Sequence, residues 1–377
     1  VNTQTYPWPV GILLFNKPGD TERTLESLRN QVVAPPDDEI LFSIDGYSGS
    51  KDEWLGRPNH TADVSNLVRK YFPISQVVQH SKNLGIAKHF AFVEQQLFHR
   101  PNSEWAIFLE DDFVLSPNYL DVLSQLITFV ESESEVVLIS ATGDTIVEKT
   151  RGLDALYPMN HAWAFALRRT HWEERNAIMD VYLKMMRDVS YFERDTEKIM
   201  GQLAQLGLIA IGSSQDYVKQ AIRRRDGKLA ITTGHNFGSY VGQYGEHFTP
   251  EVFESLGYGQ VTPKAPDKSS AVVFPQMKDE LPLIRQEDQV SFAVEYQDIH
   301  LRRIAEQLKI ISDTQTRLED LQVSLSTTED QLRKKTADFD HNAIQLSILD
   351  NDLSEKLRQI QDQQDRLKQL RKEKNQL

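Results

Sequence analysis

The sequence predicts an α/β domain followed by a long helical segment, and three observations lead there. Short apolar runs alternate with amphipathic stretches from Val1 to about Val273, as strands and helices in turn require. Glycine ends at Gly259, proline at Pro282 and tryptophan at Trp172, so the chain beyond about residue 283 is either continuous helix or unfolded. In that tail an apolar residue recurs at every seventh position, from Ile304, Ile311, Leu318 and Leu325 onward to Leu367, which is the period of a coiled coil.

Val10-Gly-Ile-Leu-Leu-Phe15 is apolar enough for a buried strand and ends at Asn16-Lys-Pro-Gly-Asp20, after which Thr21 to Gln31 reads as an amphipathic helix. Glu39 to Ile44 is a second strand, closed by Asp45-Gly46. Val77 to His80 is a third, followed by a loop at Asn83-Leu-Gly85 and a helix from Ile86 to Phe98. Trp105 to Leu109 is a fourth and runs into Glu110-Asp111-Asp112. Ser116 and Pro117 suit the N-cap and first turn of a helix through Val130. Val136 to Ile139 and Ala162 to Leu167 complete the strands, giving a domain over residues 1–275, a linker over 276–295 and a coiled coil over 296–377. As one unbroken helix, Tyr296 to Leu377 would extend on the order of 120 Å, a rod that spaces or multimerises.

Composition excludes several functions. The formal net charge is −13, with nearly all the excess acid in residues 1–295, which gives no electrostatic reason to bind nucleic acid. Cysteine is absent, removing disulfide scaffolds, thiol nucleophiles and Cys-based zinc sites. A metal would have to sit on carboxylate, imidazole or water. No apolar stretch approaches the roughly 18 residues of a membrane span, and no signal pattern opens the chain. The expectation is a soluble, cytoplasmic protein, and the lack of an initiator Met and a stop inside a periodic run suggest a fragment.

Ligands of open α/β sheets bind outside the carboxyl ends of the strands, and here those ends carry Asn16, Asp45 and Glu110-Asp111-Asp112. Three adjacent acids repel one another unless a cation or solvent compensates, and hard divalent cations prefer oxygen, so Mn²⁺ or Mg²⁺ fits. Solvated acids favouring the next helix N-terminus are the plainer alternative. Arg223-Arg-Arg225 reads as a solvated turn, Gly238, Gly242 and Gly245 as a flexible loop that could cover the donor, and Trp163 and Trp172 as sugar-stacking or core side chains.

Phe15-Asn16-Lys17, Ile44-Asp45-Gly46, Lys82-Asn83-Leu84-Gly85-Ile86-Ala87 and Phe108-Leu109-Glu110-Asp111-Asp112 with Pro117 resemble, in order and spacing, the nucleotide-sugar half of inverting GT-A glycosyltransferases. The likeness is to N-acetylglucosaminyltransferase I and bacterial family 2 type enzymes. It is close over residues 10 to about 130 and looser through His161 to Leu167, Ser214-Gln215-Asp216 and Asn236 to His247.

The resemblance implies a GT-A domain using a UDP-sugar with Mn²⁺ or Mg²⁺. Asp45 would hold uracil or ribose, and Asn16, Lys17, Lys82, Asn83 and Gly85 would line the nucleotide pocket. Glu110 would belong to the nucleotide-binding set, Asp111 would contact the ribose or support the metal ligand, and Asp112 would ligate the metal, with His247 as a late metal or diphosphate contact. Asp216 is the positional match for the general base, in competition with Glu173, Glu174 and Glu193. The implied acceptor is a glycan or lipid-linked hydroxyl, in bacterial surface-polysaccharide synthesis. The coiled coil would make a homo-oligomer, with no transmembrane segment and at most peripheral membrane association. A glycan-binding scaffold and a sugar nucleotidyltransferase are the rival readings, the second weakened because Asn16-Lys-Pro-Gly-Asp20 lacks an Arg-containing glycine loop.

Overall fold

The computed structural model describes residues 6–48, 58–100, 103–143, 149–187, 189, 193–244, 249–261, 263–264, 274, 277–337 and 343–376. Two compact units divide the chain, Val1–Val290 and Ser291–Leu377.

The first unit is built on eight strands: β1 (Val10–Leu14), β2 (Ile40–Ile44), β3 (Gln76–Gln79), β4 (Trp105–Glu110), β6 (Val136–Ser140), β7 (Leu156–Pro158), β8 (Ala164–Arg168) and β9 (Leu229–Thr233). They lie in the order β3-β2-β1-β4-β8-β6-β9-β7. The run from β3 to β4 is parallel, β8 is antiparallel to both neighbours, and β7 is antiparallel to β9. A separate two-stranded ribbon pairs β5 (Phe113–Leu115) with β10 (Gly238–Tyr240). This is a mixed α/β sheet, as expected.

Central strands are buried on both faces, which is why β1 and β2 are almost wholly apolar rather than alternating. Neighbouring side chains point to opposite faces. Ile12 and Leu14 meet Leu25 of α1 (Pro18–Arg29) and Val64 of α2 (Thr61–Tyr71), in the cluster that also holds Leu120 of α4 (Tyr119–Phe129). Leu13 and Phe108 turn to the other side, against Phe90, Val93 and Leu97 of α3 (Ile86–Phe98). A third cluster joins α5 (Arg169–Met185), α6 (Thr196–Gln205) and α7 (Gln215–Arg225) through Met179, Tyr182, Leu203 and Val218. The N-cap of α4 is Asn118 rather than Ser116, whose hydroxyl instead donates to Asn118.

A short helix α8 (Pro250–Ser255) precedes α9 (Met277–Ala337) and α10 (Ala343–Gln376). The segment expected as a linker is helical from Met277 because it has a buried face: Met277, Leu281 and Ile284 pack into the domain core. Ion pairs flank that face, Arg151 with Glu280 and Glu287, Arg285 with Glu135, and Arg223 with Asp288 at 2.8 Å. Arg223 is 2% exposed and Arg224 also reaches Asp288, so the expected solvated turn is largely a buried strut; Arg225 pairs with Asp226 at the surface.

In the second unit, Lys356 of α10 donates to Ser324 and Thr328 of α9. These positions lie about equally far from the connection between the helices, so α10 runs back antiparallel along α9. The heptad residues Ile311, Ile360 and Leu367 are buried in this hairpin. The unbroken rod is thereby corrected to two helices, of 61 and 34 residues.

Candidate active site

The carboxyl ends of β1 and β4 are adjacent in the sheet, and this places Asn16 and Lys17 against Glu110, Asp111 and Asp112. The Lys17 ammonium donates to Asp112 Oδ2 at 2.6 Å. Phe15 N–H donates to Asp111 Oδ2 at 3.0 Å, and the Thr24 hydroxyl of α1 to the Asp111 carbonyl, fixing the acid turn against the first βα connection. Asp111 and Asp112 are both buried.

Three acids against one lysine is an unbalanced charge set, and the titration of the groups reflects it. Burial, then the charges of Asp112, Asp216 and Asp111, holds the Glu110 carboxyl well above the usual carboxylate range, with Lys17 opposing. Burial pushes Asp111 up to about 7, against the pull of Lys17. Lys17 loses some basicity to burial, but Asp111 and Asp112 outweigh that and raise it above its ordinary value.

Asp112 carries the most telling atom. Its Oδ1 is buried without a hydrogen-bond partner, whereas Oδ2 takes Lys17. A buried carboxylate oxygen with no donor is costly unless a cation or water completes it. The donor set therefore fits a hard divalent cation. Among the described residues no three His, Cys, Asp or Glu side chains form a metal-holding group. That suits an ion held by one or two carboxylates, with waters and ligand phosphates supplying the rest.

The β5–β10 ribbon closes over this point. Val241 N–H donates to the Asp112 carbonyl at 2.8 Å, and Tyr240 hydrogen-bonds the Asp112 side chain. Burial and the charges of Asp112, Glu110 and Asp111 raise the Tyr240 phenol above its ordinary value, so it stays a donor. A Cβ at Gly242 would lie 2.5 Å from both Asp112 Oδ2 and the Tyr240 hydroxyl, so only glycine lets the strand pass here. Trp163 is stacked between His161 and Tyr240, with centroids 4.6 Å away on each side, and Trp172 stacks on Phe98 at 5.0 Å. Both faces of Trp163 are taken, which makes it a packing residue rather than a sugar platform.

Asp45 lies one strand over. Its carboxylate accepts from the N–H groups of Gly46, Leu84 and Gly85 at 2.8, 2.7 and 3.1 Å. Burial still raises the Asp45 carboxyl despite these bonds. Asn83 donates to the Gly46 carbonyl, and a Cβ at Gly46 would sit 2.3 Å from the Lys82 backbone. Asp45-Gly46 and Lys82-Asn83-Leu84-Gly85 thus form one clamped wall, with the Lys82 side chain exposed. Asn16 is buried and braces the next loop, donating to the Pro58 carbonyl and accepting from His60 N–H.

Asp216 sits in the first turn of α7, capped by Ser214, with an exposed side chain whose charge reaches Glu110. It lines a cleft with Arg175 and Lys219. Glu173, Glu174 and Glu193 are exposed, and the main causes of the displaced titrations at the acid cluster lie elsewhere, in burial, Lys17, Asp20, Asp216 and the acids themselves. His247 lies outside the described residues. Tyr240, and the buried pairing of Arg175 and Lys219 with Glu94, carry no local sequence signal.

No known protein family and no curated protein matches the chain. Among solved structures, similar chains include the mannosyltransferase PcManGT of Pyrobaculum calidifontis in complex with GDP-Man and Mn²⁺, at 14% identity over 45% of this chain and 49% of that one, TM-score 0.30. S. aureus TarS is similar at 15% identity over 44% of this chain and 29% of its own, TM-score 0.31. TarS 1–349 in complex with UDP-GlcNAc is similar at 15% identity over 44% and 47%, TM-score 0.28. The chain spans about half, or less, of the length of these proteins.

Proposed function

We propose that the chain is a metal-dependent inverting glycosyltransferase that moves a sugar, N-acetylglucosamine by resemblance, from a UDP-sugar to a hydroxyl of a glycan or lipid-linked acceptor. The observation that carries this reading is Asp112, with one oxygen paired to Lys17 and the other buried and unpartnered, at the ends of β1 and β4. Asp112 would hold Mn²⁺ or Mg²⁺, which when bound supplies positive charge against the diphosphate leaving group. Lys17 adds a fixed positive charge at the same place. The wall of Asp45, Asn83 and Gly85 bounds the nucleotide end.

Asp216, exposed at the head of α7, takes the proton from the acceptor hydroxyl as that oxygen attacks the anomeric carbon. The bond to the diphosphate breaks on the opposite face, and the configuration inverts. Burial of Asp112 and Asp111 keeps water from the charged end of the donor.

No described helix is long and apolar enough to cross a membrane. The proposed setting is the cytoplasm, at the inner face of the membrane. Val294, Leu301 and Leu308, exposed at seven-residue spacing on α9, suit self-association of the helical unit. Release of UDP from a panel of UDP-sugars tests the proposal: turnover with Mn²⁺, abolished by EDTA and by Asp112→Ala, supports it, whereas no release from any sugar counts against it.

A further inference from the structure

The cleft at Asp216 leaves apolar surface uncovered and has no net charge to offer a ligand. It lies between α3, α5, α7 and the sheet, with about 510 Å³ of open volume, solvent included. Its charges cancel within the protein. Arg175 and Lys219 share the Glu94 carboxylate, at 2.6 and 2.9 Å, and Asp216 is the second acid against those two cations. Arg223, the remaining cation of the lining, is matched by Asp288 at 2.8 Å. Phe90, Leu138, Met159, Ala162 and Phe165 supply apolar walls. Among these Leu138 stands out. Strand β6 lies inside the sheet between β8 and β9, and its other four residues are buried, whereas Leu138 is partly open to solvent. Strands inside a sheet covered by helices ordinarily have both faces sealed. Ala162, just before β8, is partly open as well. An apolar group laid on such surface is stabilised in proportion to the area it removes from water.

We infer that the acceptor carries an uncharged apolar group, an aryl or alkyl aglycone, which covers Leu138 and Ala162 in this cleft while the reacting hydroxyl meets Asp216. The inference rests on the glycosyl-transfer reading of Asp216. Asp216 lines the same cleft as Leu138 and Ala162, so one small molecule reaches all three. A charged aglycone would be desolvated against cations and acids that already answer one another. A second sugar in the same place would bury hydroxyls against Leu138 and Ala162, whose side chains have no polar atom to receive them. An apolar group loses no hydrogen bonds to water there and gains the covered area.

Calorimetric titration of the full chain with phenyl, hexyl and methyl β-glucoside tests this. Phenyl or hexyl glucoside is expected to bind about tenfold or more tightly than methyl glucoside, and which of the two is tighter tells an aryl group from an alkyl one. Ala162→Phe, which puts bulk into the cleft at a partly open position, should bring the three probes to within about twofold of one another. The methyl resonance of Met159, identified by its absence from Met159→Leu, reports the place of binding in the unaltered protein: the tighter probe should move it, and methyl glucoside should not. Equal binding of all three, no binding of either apolar glucoside, a preference that survives in folded Ala162→Phe, or a Met159 signal that the tighter probe leaves unmoved overturns the inference. UDP binding on the same samples separates the two levels: UDP bound with no apolar preference removes the acceptor inference alone, and UDP unbound removes the glycosyl-transfer reading on which it stands.

Discussion

Lys17 and Asp112 form an ion pair of 2.6 Å with side-chain exposures of 20% and 6%, joining the first βα turn to the end of β4. Losing one partner of such a pair leaves an uncompensated buried charge, which costs more than the pair itself contributes. Lys17→Met should therefore lower stability by about 3 kcal/mol, measured as the urea midpoint. Because Asp112 would then lack its neutralising cation, Mn²⁺ should raise the midpoint of Lys17→Met more than that of the wild type. Equal shifts would separate Lys17 from the cation site.

Asp216→Asn removes the proton acceptor but not the helix. Turnover should fall by about 10² to 10⁴, the usual worth of a general base, with UDP affinity unchanged in direct binding. A mutant that loses UDP affinity in step with turnover would place Asp216 in donor binding instead.

Two buried histidines should each weaken the fold as pH falls below about 6.5, opposed over the same range by Asp111 and Glu110, which take up protons more readily in the folded state than in the unfolded chain. His89 is 3% exposed and His171 is fully buried with both ring nitrogens unpartnered. Burial lowers each to about 3, against about 6.5 in an unfolded chain. Above pH 6.5 both states hold neutral imidazole and nothing is lost. Below it, the unfolded chain binds protons that the folded chain refuses, so stability declines from about pH 6.5 toward 3 by about 1.4 kcal/mol per unit for each histidine. Urea midpoints of the wild type and His171→Phe at pH 7.5, 6 and 5 isolate one histidine: the difference in stability between the two should change by about 1.4 kcal/mol per unit below pH 6.5. A difference that stays constant across that range would mean that His171 charges freely in the native state.

The start of α9 belongs to the domain in energetic terms. Ile284 is fully buried and Leu281 is 9% exposed, so Ile284→Ala should cost about 2–5 kcal/mol. Asp288→Ala, which strands Arg223, should cost about 3 kcal/mol. Residues 1–290 should accordingly unfold at higher urea than residues 1–275, and equal midpoints would make the helix a mere attachment.

What the sequence shows of all this follows from range. β1, β2, β4 and the Glu110-Asp111-Asp112 turn are readable because each is a local apolar run with a polar stop. Strands β5, β7 and β10 have three residues each, too few for a period to register. The seven-residue repeat discloses an apolar stripe but not what it faces, and in the hairpin it faces α10. Tyr240 meets Asp112 across more than a hundred residues of chain, and Arg223 is buried only because Asp288 arrives from α9. Charges satisfied at long range look like surface charges in a sequence.

The central claim is that Asp112 builds a cation-assisted nucleotide-diphosphate site. Calorimetric titration of UDP into the wild type and Asp112→Ala, each with Mn²⁺ and with EDTA, tests it most directly. The account predicts UDP binding in the wild type with Mn²⁺, and a loss on chelation equal to the loss in Asp112→Ala. UDP affinity that is the same in all four titrations, or absent from all four, would contradict it.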